Sequence, residues 1–211
     1  MKNPRGKRRP GAYLRAAGLL LMAAALLLTG YNLWDDRRAE GSTSQVLEEL
    51  DSLTGSEEWR EVLAGPGEEE IPDYLLDPEM EMPTVEVEGN EYIGTLEIPS
   101  LGLSLPVMSQ WSYPRLRIAP CRYRGTAYRG NLVIAAHNYR AHFGRLGELP
   151  AGARVRFTDV DGNVFSYEVV ETQVLAPTDI REMEAGDWAL TLFTCTLGGQ
   201  SRVTVRCDWA E

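Results

Sequence analysis

A long uncharged apolar stretch near the N-terminus constrains the fold of this chain more than any other feature of its sequence. It runs from Ala16 to Trp34, and a helix of that length spans about 28 Å, close to the hydrocarbon core of a membrane. The basic cluster precedes it, and the first acid, Asp35, follows it. Because cytoplasmic flanks are rich in Lys and Arg, we predict a single-pass membrane anchor with residues 1–15 as a cytoplasmic tail and the rest of the chain outside the cell. A cleaved signal peptide is the alternative, although its apolar core is usually shorter.

Charge divides the exported part of the chain in two. Residues 35–91 hold 19 acidic side chains against three arginines, whereas residues 92–211 hold 12 acids and 12 arginines. The net charge of −10 therefore originates in the segment between the anchor and the last domain. Neither part shows a basic patch interleaved with aromatic residues, so the sequence excludes a nucleic-acid binder.

The acidic segment 35–91 is predicted to be an extracellular stalk. Apolar residues recur at helical spacing through residues 42–64 and indicate an amphipathic helix, broken at Thr54-Gly55-Ser56. From Glu61 to Glu91 the chain has 11 acids, no Lys or Arg, and four prolines, which is typical of an extended, self-repelling tether.

Short β-type runs separated by turn signals fill residues 92–211, the last predicted domain. The predicted strands are Tyr92–Ile98, Leu103–Met108, Asn131–Ala136, Arg154–Val160, Val164–Glu171, Gln173–Ala176, Ala189–Cys195 and Ser201–Cys207. Asp161-Gly162 is a hairpin signal, and residues 179–187 can hold one short helix. Seven or eight short strands without alternating long helices predict a mainly β fold, a barrel or a sandwich.

Three residues at predicted strand ends have the chemistry of acyl transfer. His137 ends one apolar strand, Cys195 ends another, and Arg202 begins the strand that follows Cys195 after a short Gly198-Gly199 turn. A thiolate attacks carbonyl carbon and nearby cations favour it, a histidine protonates a leaving amine, and a guanidinium stabilises an oxyanion. The residues alone equally allow a core cysteine, a loop histidine and a surface arginine.

The odd number of cysteines in the exported part leaves at least one thiol unpaired or in an intermolecular bridge. Alternation along the last strand makes Cys207 face the core, and we interpret Cys121 as a loop thiol near the substrate groove. The two histidines and the scattered acids have no metal-ligand spacing, so we expect neither a metal nor another cofactor.

The segment from Thr191 to Cys195, TLFTC, matches the TLxTC motif of sortases, which are membrane-anchored cysteine transpeptidases of Gram-positive bacteria. The run from Asn131 to Tyr139 resembles the strand that delivers the sortase histidine, and the run from Tyr92 to Pro99 resembles the first barrel strand of that family. The stretch from Cys195 to Arg206 is similar to the family's stretch from nucleophile to arginine. The resemblance covers residues 90–208 and implies a closed β-barrel of seven to eight strands.

The resemblance also implies a function. Cys195 would attack the carbonyl within an LPxTG-like sorting signal near the C-terminus of a secreted protein, His137 would protonate the leaving amine, and Arg202 would hold the oxyanion or the signal's backbone. An amine on peptidoglycan or on a pilin lysine would then resolve the thioester. Thr194 and Arg206 would contact the substrate, and Arg206 is the alternative for the role given to Arg202.

Two features concern the subclass of sortase. The loop at about 177–188 is too short for the long helix of class B enzymes. The sequence Asp77-Pro78-Glu79-Met80 resembles the Asp-Pro-aromatic lid of pilin-polymerising class C enzymes, but its aromatic residue is missing and Met80 stands one place later. If this segment is a lid, Asp77 would pair with Arg202 or Arg206; an ordinary turn of the tether is the alternative.

Two rival functions remain open at the level of sequence. Another cell-wall cysteine peptidase is one, although an L,D-transpeptidase would need a Ser-His-Gly-Cys motif and an endopeptidase usually places Cys before His. The other is a non-enzymatic, membrane-anchored β-domain that binds a surface partner. It predicts that Cys195 has no reactivity.

Overall fold

A single helix, α1, runs from Pro10 to Thr54. The structure is a computed structural model that describes residues 10–54, 71–185 and 187–210. The chain forms two units, residues 1–38 and residues 39–211. The part of α1 in the first unit is long and apolar enough to cross a membrane, and its apolar side chains are exposed on the surface of the protein. The part of the predicted basic tail before Pro10 and the part of the predicted 42–64 helix beyond Thr54 lie outside the described residues.

The last turns of α1 belong to the second unit. Ala39, Thr43, Val46 and Leu50 are all buried there, and their spacing of three or four residues places them on one helix face. Val46 and Leu50 pack in a cluster with Tyr92, Met108 and Cys121 of the barrel. This part of the predicted stalk is therefore packed against the β domain and is not free-standing.

The second unit is built on a sheet that closes on itself. The strands in the described residues are β1 (Val85–Val87), β2 (Asn90–Ile98), β3 (Leu103–Met108), β4 (Cys121–Arg124), β5 (Leu132–Ala136), β6 (Arg154–Asp159), β7 (Val164–Leu175), β8 (Leu190–Cys195) and β9 (Arg202–Trp209). They are ordered β2-β3-β4-β5-β8-β9-β7-β6, and β6 pairs again with β2 to close an eight-stranded barrel. β1 adds a short antiparallel ladder to the start of β2. The predicted mainly β, closed-barrel fold is confirmed.

Barrel closure depends on Gly94. It pairs with Asp159 where β2 meets β6, and its φ of +149° is a conformation that other residues rarely adopt. A Cβ at this position would lie 2.0 Å from the carbonyl oxygen of Thr158. Glycine therefore lets the two backbones approach closely enough to hydrogen-bond.

Three short helices accompany the strands: α2 (Asp73–Leu76), α3 (Tyr113–Leu116) and α4 (Ile180–Met183). The prediction of one short helix within 179–187 agrees with α4, and the predicted strand 173–176 is the end of β7. Residues 71–91 differ from the predicted tether, because Met82 is buried in the barrel core and β1 forms there.

Cys121 also differs from the prediction. It begins β4, it is fully buried, and its Sγ lies 3.9 Å from Sδ of Met108. The sequence did not indicate β4, because four residues with two arginines carry no clear apolar alternation. Cys207 faces the barrel core, as predicted.

Side chains that alternate along β5 and β8 form apolar clusters on both faces of the barrel wall. Leu132 and Ile134 of β5 and Leu192 of β8 belong to the barrel core. The intervening residues Val133, Ala135 and Phe193 point outward. Together with Leu175 of β7 and Met183 of α4 they form a second cluster, which we call the outer apolar cluster and which Leu116 and Tyr123 flank. A wall that is apolar on both faces places a second buried apolar cluster beside the strand ends where Cys195 and His137 lie.

Candidate active site

Strand register brings Cys195, His137 and Arg202 to one edge of the barrel. β5 and β8 run parallel with Ala136 opposite Thr194, so the residues that follow, His137 and Cys195, are neighbours across the two strands. Cys195 is paired with Arg202 across the antiparallel ladder of β8 and β9. Adjacent strands lie about 4.8 Å apart. The three residues therefore occupy neighbouring positions on three adjacent strands.

The same register turns Cys195 and Arg202 toward the outer face. Side chains alternate along a strand, so Cys195 shares its face with Phe193, while His137 directly follows the end of β5 at Ala136. Leu175 is opposite Arg202 on the ladder of β7 and β9. Phe193, Ala135 and Leu175 are members of the outer apolar cluster, which therefore runs directly up to the three polar residues.

Thr194 holds the pair of strands together just before the site. Its hydroxyl donates a hydrogen bond to the carbonyl oxygen of Ala136 at 2.8 Å, and its side chain is buried. The sequence analysis placed this side chain against the substrate. The structure places it inside the wall, where it fixes the register that makes Cys195 and His137 neighbours.

A tight turn sets the position of Arg202. Gly198 and Gly199 have φ of 88° and 72°, which glycine adopts without a steric penalty, and the amide of Thr196 donates to the carbonyl oxygen of Ser201 at 3.0 Å. Nη1 of Arg202 donates to the carbonyl oxygens of Gly199 and Ser201, each at 3.1 Å. The turn thus holds the guanidinium group beside the end of β8.

Arg206, the alternative arginine, lies elsewhere. It is paired with Thr191, four residues before Cys195, and its side chain is 1% exposed. Nη1 donates to the carbonyl oxygen of Met183 and to Oγ1 of Thr191, both at 3.0 Å, and Nη2 donates to the carbonyl oxygen of Glu182. Burial lowers the pKa of this guanidinium. The structure does not bring Arg206 to Cys195. Instead, Arg206 ties the loop between β7 and β8 to the barrel.

Burial separates the three cysteines, all of which are free. Cys121 and Cys207 are fully buried, and loss of hydration raises the pKa of each thiol to about 12. Cys195 is half-buried at the end of β8. Since the thiolate is the attacking form, only Cys195 among them is placed to react.

The loop after β5 connects His137 to α1. The rings of His137 and Tyr139 have centroids 5.0 Å apart, and those of Tyr139 and His142 are 5.5 Å apart. His142 is fully buried, and its Nε2 lies 3.3 Å from Oγ1 of Thr43 on α1. Loss of hydration, helped by His137, lowers the pKa of His142 to about 4. His142 is therefore neutral near pH 7, where it can hydrogen-bond to Thr43 without a buried charge.

The segment that resembles a lid forms a turn. The amide of Met80 donates to the carbonyl oxygen of Asp77 at 3.1 Å, and Oδ1 of Asp77 accepts from the amide of Glu79 at 3.1 Å, with Pro78 between them. Within the described part of the chain, no ion pair joins Asp77 to Arg202 or Arg206.

The helix before this turn is anchored far from the cysteine. Tyr74 of α2 stacks on Tyr128 with ring centroids 4.8 Å apart. Tyr128 lies between β4 and β5, at the opposite end of β5 from His137. The predicted lid residues therefore follow a segment that packs near the other end of the barrel.

Sequence reasoning missed the outer apolar cluster as part of the site. The available signal was that β5 and β8 are apolar at every position except threonine and the terminal cysteine, whereas a solvent-facing wall alternates. Among the residues that the structure describes, no group of three His, Cys, Asp or Glu side chains could hold a metal ion.

An eight-stranded barrel with a half-buried cysteine, a histidine and an arginine on adjacent strand ends defines a barrel-type cysteine enzyme. The model of the sortase domain matches residues 96–210, which is more than half of the chain. The chain therefore belongs to the sortase family and is a cysteine transpeptidase of the sortase type.

Solved sortases share the fold. Sortase C of Streptococcus pneumoniae is 22% identical, over 79% of this chain and 97% of that one, with a TM-score of 0.58. The sortase D5 transpeptidase of Clostridium perfringens is 23% identical, over 77% and 99%, with a TM-score of 0.53. A lid mutant of sortase A from Corynebacterium diphtheriae is 22% identical, over 65% and 75%, with a TM-score of 0.50. No curated protein sequence matches the chain.

Proposed function

We propose that this sortase cleaves an LPxTG-like sorting signal of a secreted protein through a thioester on Cys195 and transfers the acyl group to an amine. The observation that carries the proposal is the register of β5, β8 and β9, which gathers Cys195, His137 and Arg202 beside the outer apolar cluster.

The proposed reaction has two steps with the same groups. The thiolate of Cys195 attacks the scissile carbonyl carbon, and the guanidinium of Arg202 stabilises the oxyanion that forms. As the C–N bond breaks, His137 gives its proton to the leaving amine, and the thioester remains on Cys195. An acceptor amine then loses a proton to His137 and attacks the thioester, which releases the thiolate and forms a new amide bond.

The outer apolar cluster is the proposed site for the apolar residues of the signal. Phe193, Val133 and Met183 of α4 are buried members of the cluster, and the partly exposed Leu116 and Tyr123 pack against it. Burying an apolar side chain against such a surface contributes about 1.5–3 kcal/mol. A leucine or a proline a few residues before the scissile bond would reach this surface when the carbonyl carbon lies at Cys195.

The apolar part of α1 suits a single-pass anchor. We propose a cytoplasmic N-terminus and an extracellular barrel, because the basic residues lie before the apolar stretch. In this orientation the site faces secreted proteins with a C-terminal sorting signal, and the acceptor is an amine of peptidoglycan or of a pilin lysine.

The test uses the full chain in a non-ionic detergent with fluorogenic sorting-signal peptides. Peptide cleavage should occur, and adding an amine such as triglycine or a lysine-containing pilin peptide should give a ligated product by mass spectrometry. Cys195→Ala and His137→Ala should lower kcat/KM by about a thousandfold or more, and Arg202→Gln by about a hundredfold. Arg154→Gln, an exposed change on β6, is the matched control. Full turnover by Cys195→Ala would contradict the proposal.

Cleavage without any ligated product would favour a cell-wall cysteine peptidase. A wild-type protein whose Cys195 neither reacts with a thiol reagent nor cleaves any peptide would instead favour a non-enzymatic β-domain.

A further inference from the structure

A second concave site, lined by arginine, lies beside the outer apolar cluster. We call it the arginine cleft and define it by Trp111, Arg122, Tyr123, Arg124 and Arg129; its volume is about 520 Å³. This volume is within the range of ligand sites in proteins. None of these residues takes part in the proposed transfer reaction.

The cleft is continuous with the active-site face. Tyr123 lines the cleft and also packs edge-on against Phe193 of the outer apolar cluster, with ring centroids 5.2 Å apart. Phe193 lies two residues before Cys195 on the same face of β8, or about 7 Å along the strand. An extended peptide whose scissile bond lies at Cys195 therefore reaches the cleft within about four residues.

Two carboxylates of the chain already occupy the cleft. Oε2 of Glu79 lies 3.0 Å from Nη1 of Arg129, and Oε2 of Glu81 lies 3.7 Å from Nη1 of Arg122. Arg124 is paired with Glu184 of the loop that follows α4. The cleft thus binds an acidic stretch of polypeptide, Glu79 to Glu81, within its own chain.

This internal contact can be exchanged at little cost. The side chains of Glu79 and Glu81 are 71% and 91% exposed, and an exposed ion pair changes an equilibrium constant by about fivefold or less. Tyr74 and Met82 hold the segment on either side by packing in the barrel. Rotation of the two Glu side chains into solvent is therefore enough to free Nη1 of Arg129 and Nη1 of Arg122, while Nε of Arg122 keeps its hydrogen bond to the carbonyl oxygen of Ser109.

We propose that the arginine cleft binds an acidic segment of the substrate protein that flanks the sorting signal, and that Glu79 and Glu81 occupy the cleft until such a segment arrives. Arginine is suited to this role because its planar guanidinium pairs with carboxylates and stays charged. Trp111 and Tyr123 provide flat surfaces against which the peptide backbone packs. This inference rests on the proposed function, since it assigns the recognition of a second part of the same substrate.

The first experiment compares sorting-signal peptides with a flank of four Glu or of four Gln, placed before or after the signal. For one of the two placements, the full chain should show a kcat/KM about five- to twentyfold higher for the Glu flank at low salt. Salt at 0.5 M should reduce the ratio to about twofold or less, because exposed ion pairs are screened. Equal turnover of Glu and Gln peptides in both placements would overturn the proposal.

Variants locate the effect. Arg124→Gln/Arg129→Gln should lower the Glu-to-Gln ratio toward one, because Arg129 is one of the two arginines that Glu79 and Glu81 release, and Glu79→Gln/Glu81→Gln should raise the ratio by removing the internal competitor. Arg154→Gln/Arg156→Gln is the matched control, because it also removes two exposed, ion-paired arginines, but on β6. A ratio that survives in the first variant, or falls equally in the control, contradicts the assignment.

A charge reversal and a binding measurement complete the test. Arg129→Glu should shift the preference toward a flank of four Lys. Fluorescence anisotropy with full-length Cys195→Ala and a Glu-rich peptide without any sorting signal measures the cleft independently of turnover. Binding of this peptide over its Gln-rich counterpart, with no cleavage of any signal by the wild type, would contradict the proposed function and support the cleft. Cleavage of a sorting signal by the wild type without this binding would support the proposed function and contradict the assignment of the cleft.

Discussion

At the scale of single residues, burial decides which thiol is chemically available. Three cysteines lie on barrel strands, and two of them are removed from water, Cys207 in the barrel core and Cys121 in the cluster with α1. The same burial that stabilises Cys121 and Cys207 as packing side chains raises the pKa of both thiols to about 12. Cys195 stands at the end of β8 and is only half-buried.

Alkylation of the native protein should reveal this difference. With iodoacetamide at pH 7.5, Cys195 should be modified at least about a hundredfold faster than the other two cysteines, because few of the buried thiols ionise. Peptide mapping by mass spectrometry measures the three rates. Cys195→Ser should remove the fast phase, and fast modification of Cys121 or Cys207 in the folded chain would contradict the interpretation.

Because of His142, the free energy of unfolding should decrease at acidic pH. Its pKa is lowered from 6.5 to about 4, so the unfolded state binds a proton more readily than the folded state. The contribution is complete above pH 6.5 and is lost as the pH falls toward 4, by about 1.4 kcal/mol per unit and about 3 kcal/mol in all. The Tm of wild type and of His142→Gln, measured from pH 7 to pH 4.5, checks this. Wild type should lose more stability than the variant; parallel curves would show that His142 is not responsible.

At the scale of elements, the loop between β7 and β8 depends on one buried arginine. Arg206 of β9 binds the carbonyl oxygens at the end of α4 and the hydroxyl of Thr191. Met183 of α4 is in turn part of the outer apolar cluster. Arg206, which lies four positions after Arg202 on the same strand, therefore sets the position of α4 at the border of the site.

Arg206→Met should lower both stability and substrate affinity. The change leaves buried carbonyl groups unpaired, at a cost of about 3 kcal/mol, which corresponds to a Tm lower by about 6–12 °C. As α4 shifts, KM for a sorting-signal peptide should rise more than kcat falls. Arg154→Met, a change on the exposed face of β6, should change Tm by about 2 °C or less. An unchanged KM in Arg206→Met would contradict the expectation that α4 contributes to substrate binding.

At the scale of the whole molecule, the order of segments follows the order of environments. The charged residues before Ala16 suit the cytoplasmic surface, the apolar stretch suits the membrane, and the barrel carries the site. The acidic charge is concentrated in residues 35–91, whereas residues 92–211 hold equal numbers of acids and arginines.

Topology can be tested with single added thiols. In a Cys195→Ala background, Asn3→Cys should react with a membrane-impermeant maleimide only after the cells are permeabilised, because it precedes the anchor. Ser100→Cys, at an exposed position of the barrel, should react in intact protoplasts. The buried Cys121 and Cys207 should contribute little background. The opposite labelling pattern would reverse the proposed orientation.

Much of the fold was predictable because its signals are local. Period-two alternation, turn residues and the strand-end positions of His137 and Cys195 are readable in a few consecutive residues, and they predicted a mainly β fold, a barrel or a sandwich. The resemblance to sortases implied that the barrel is closed. β4 and β1 were not predicted, because strands of four and three residues form only when neighbouring strands are present. The packing of Val46 and Leu50 on the barrel was also missed, since a helical stripe indicates a buried face but not what covers it.

The sequence by itself predicted an apolar anchor, a mainly β domain and three candidate residues at strand ends, because chemistry and periodicity are properties of short segments. Only the tertiary structure decided which side chains meet. It separated Arg206 from Arg202, although both lie on one face of β9, because register places them opposite different residues of β8. It turned Thr194 inward, removed two thiols from water, and joined the arginine cleft to the site. Each of these outcomes depends on contacts between distant parts of the chain, which no local pattern contains.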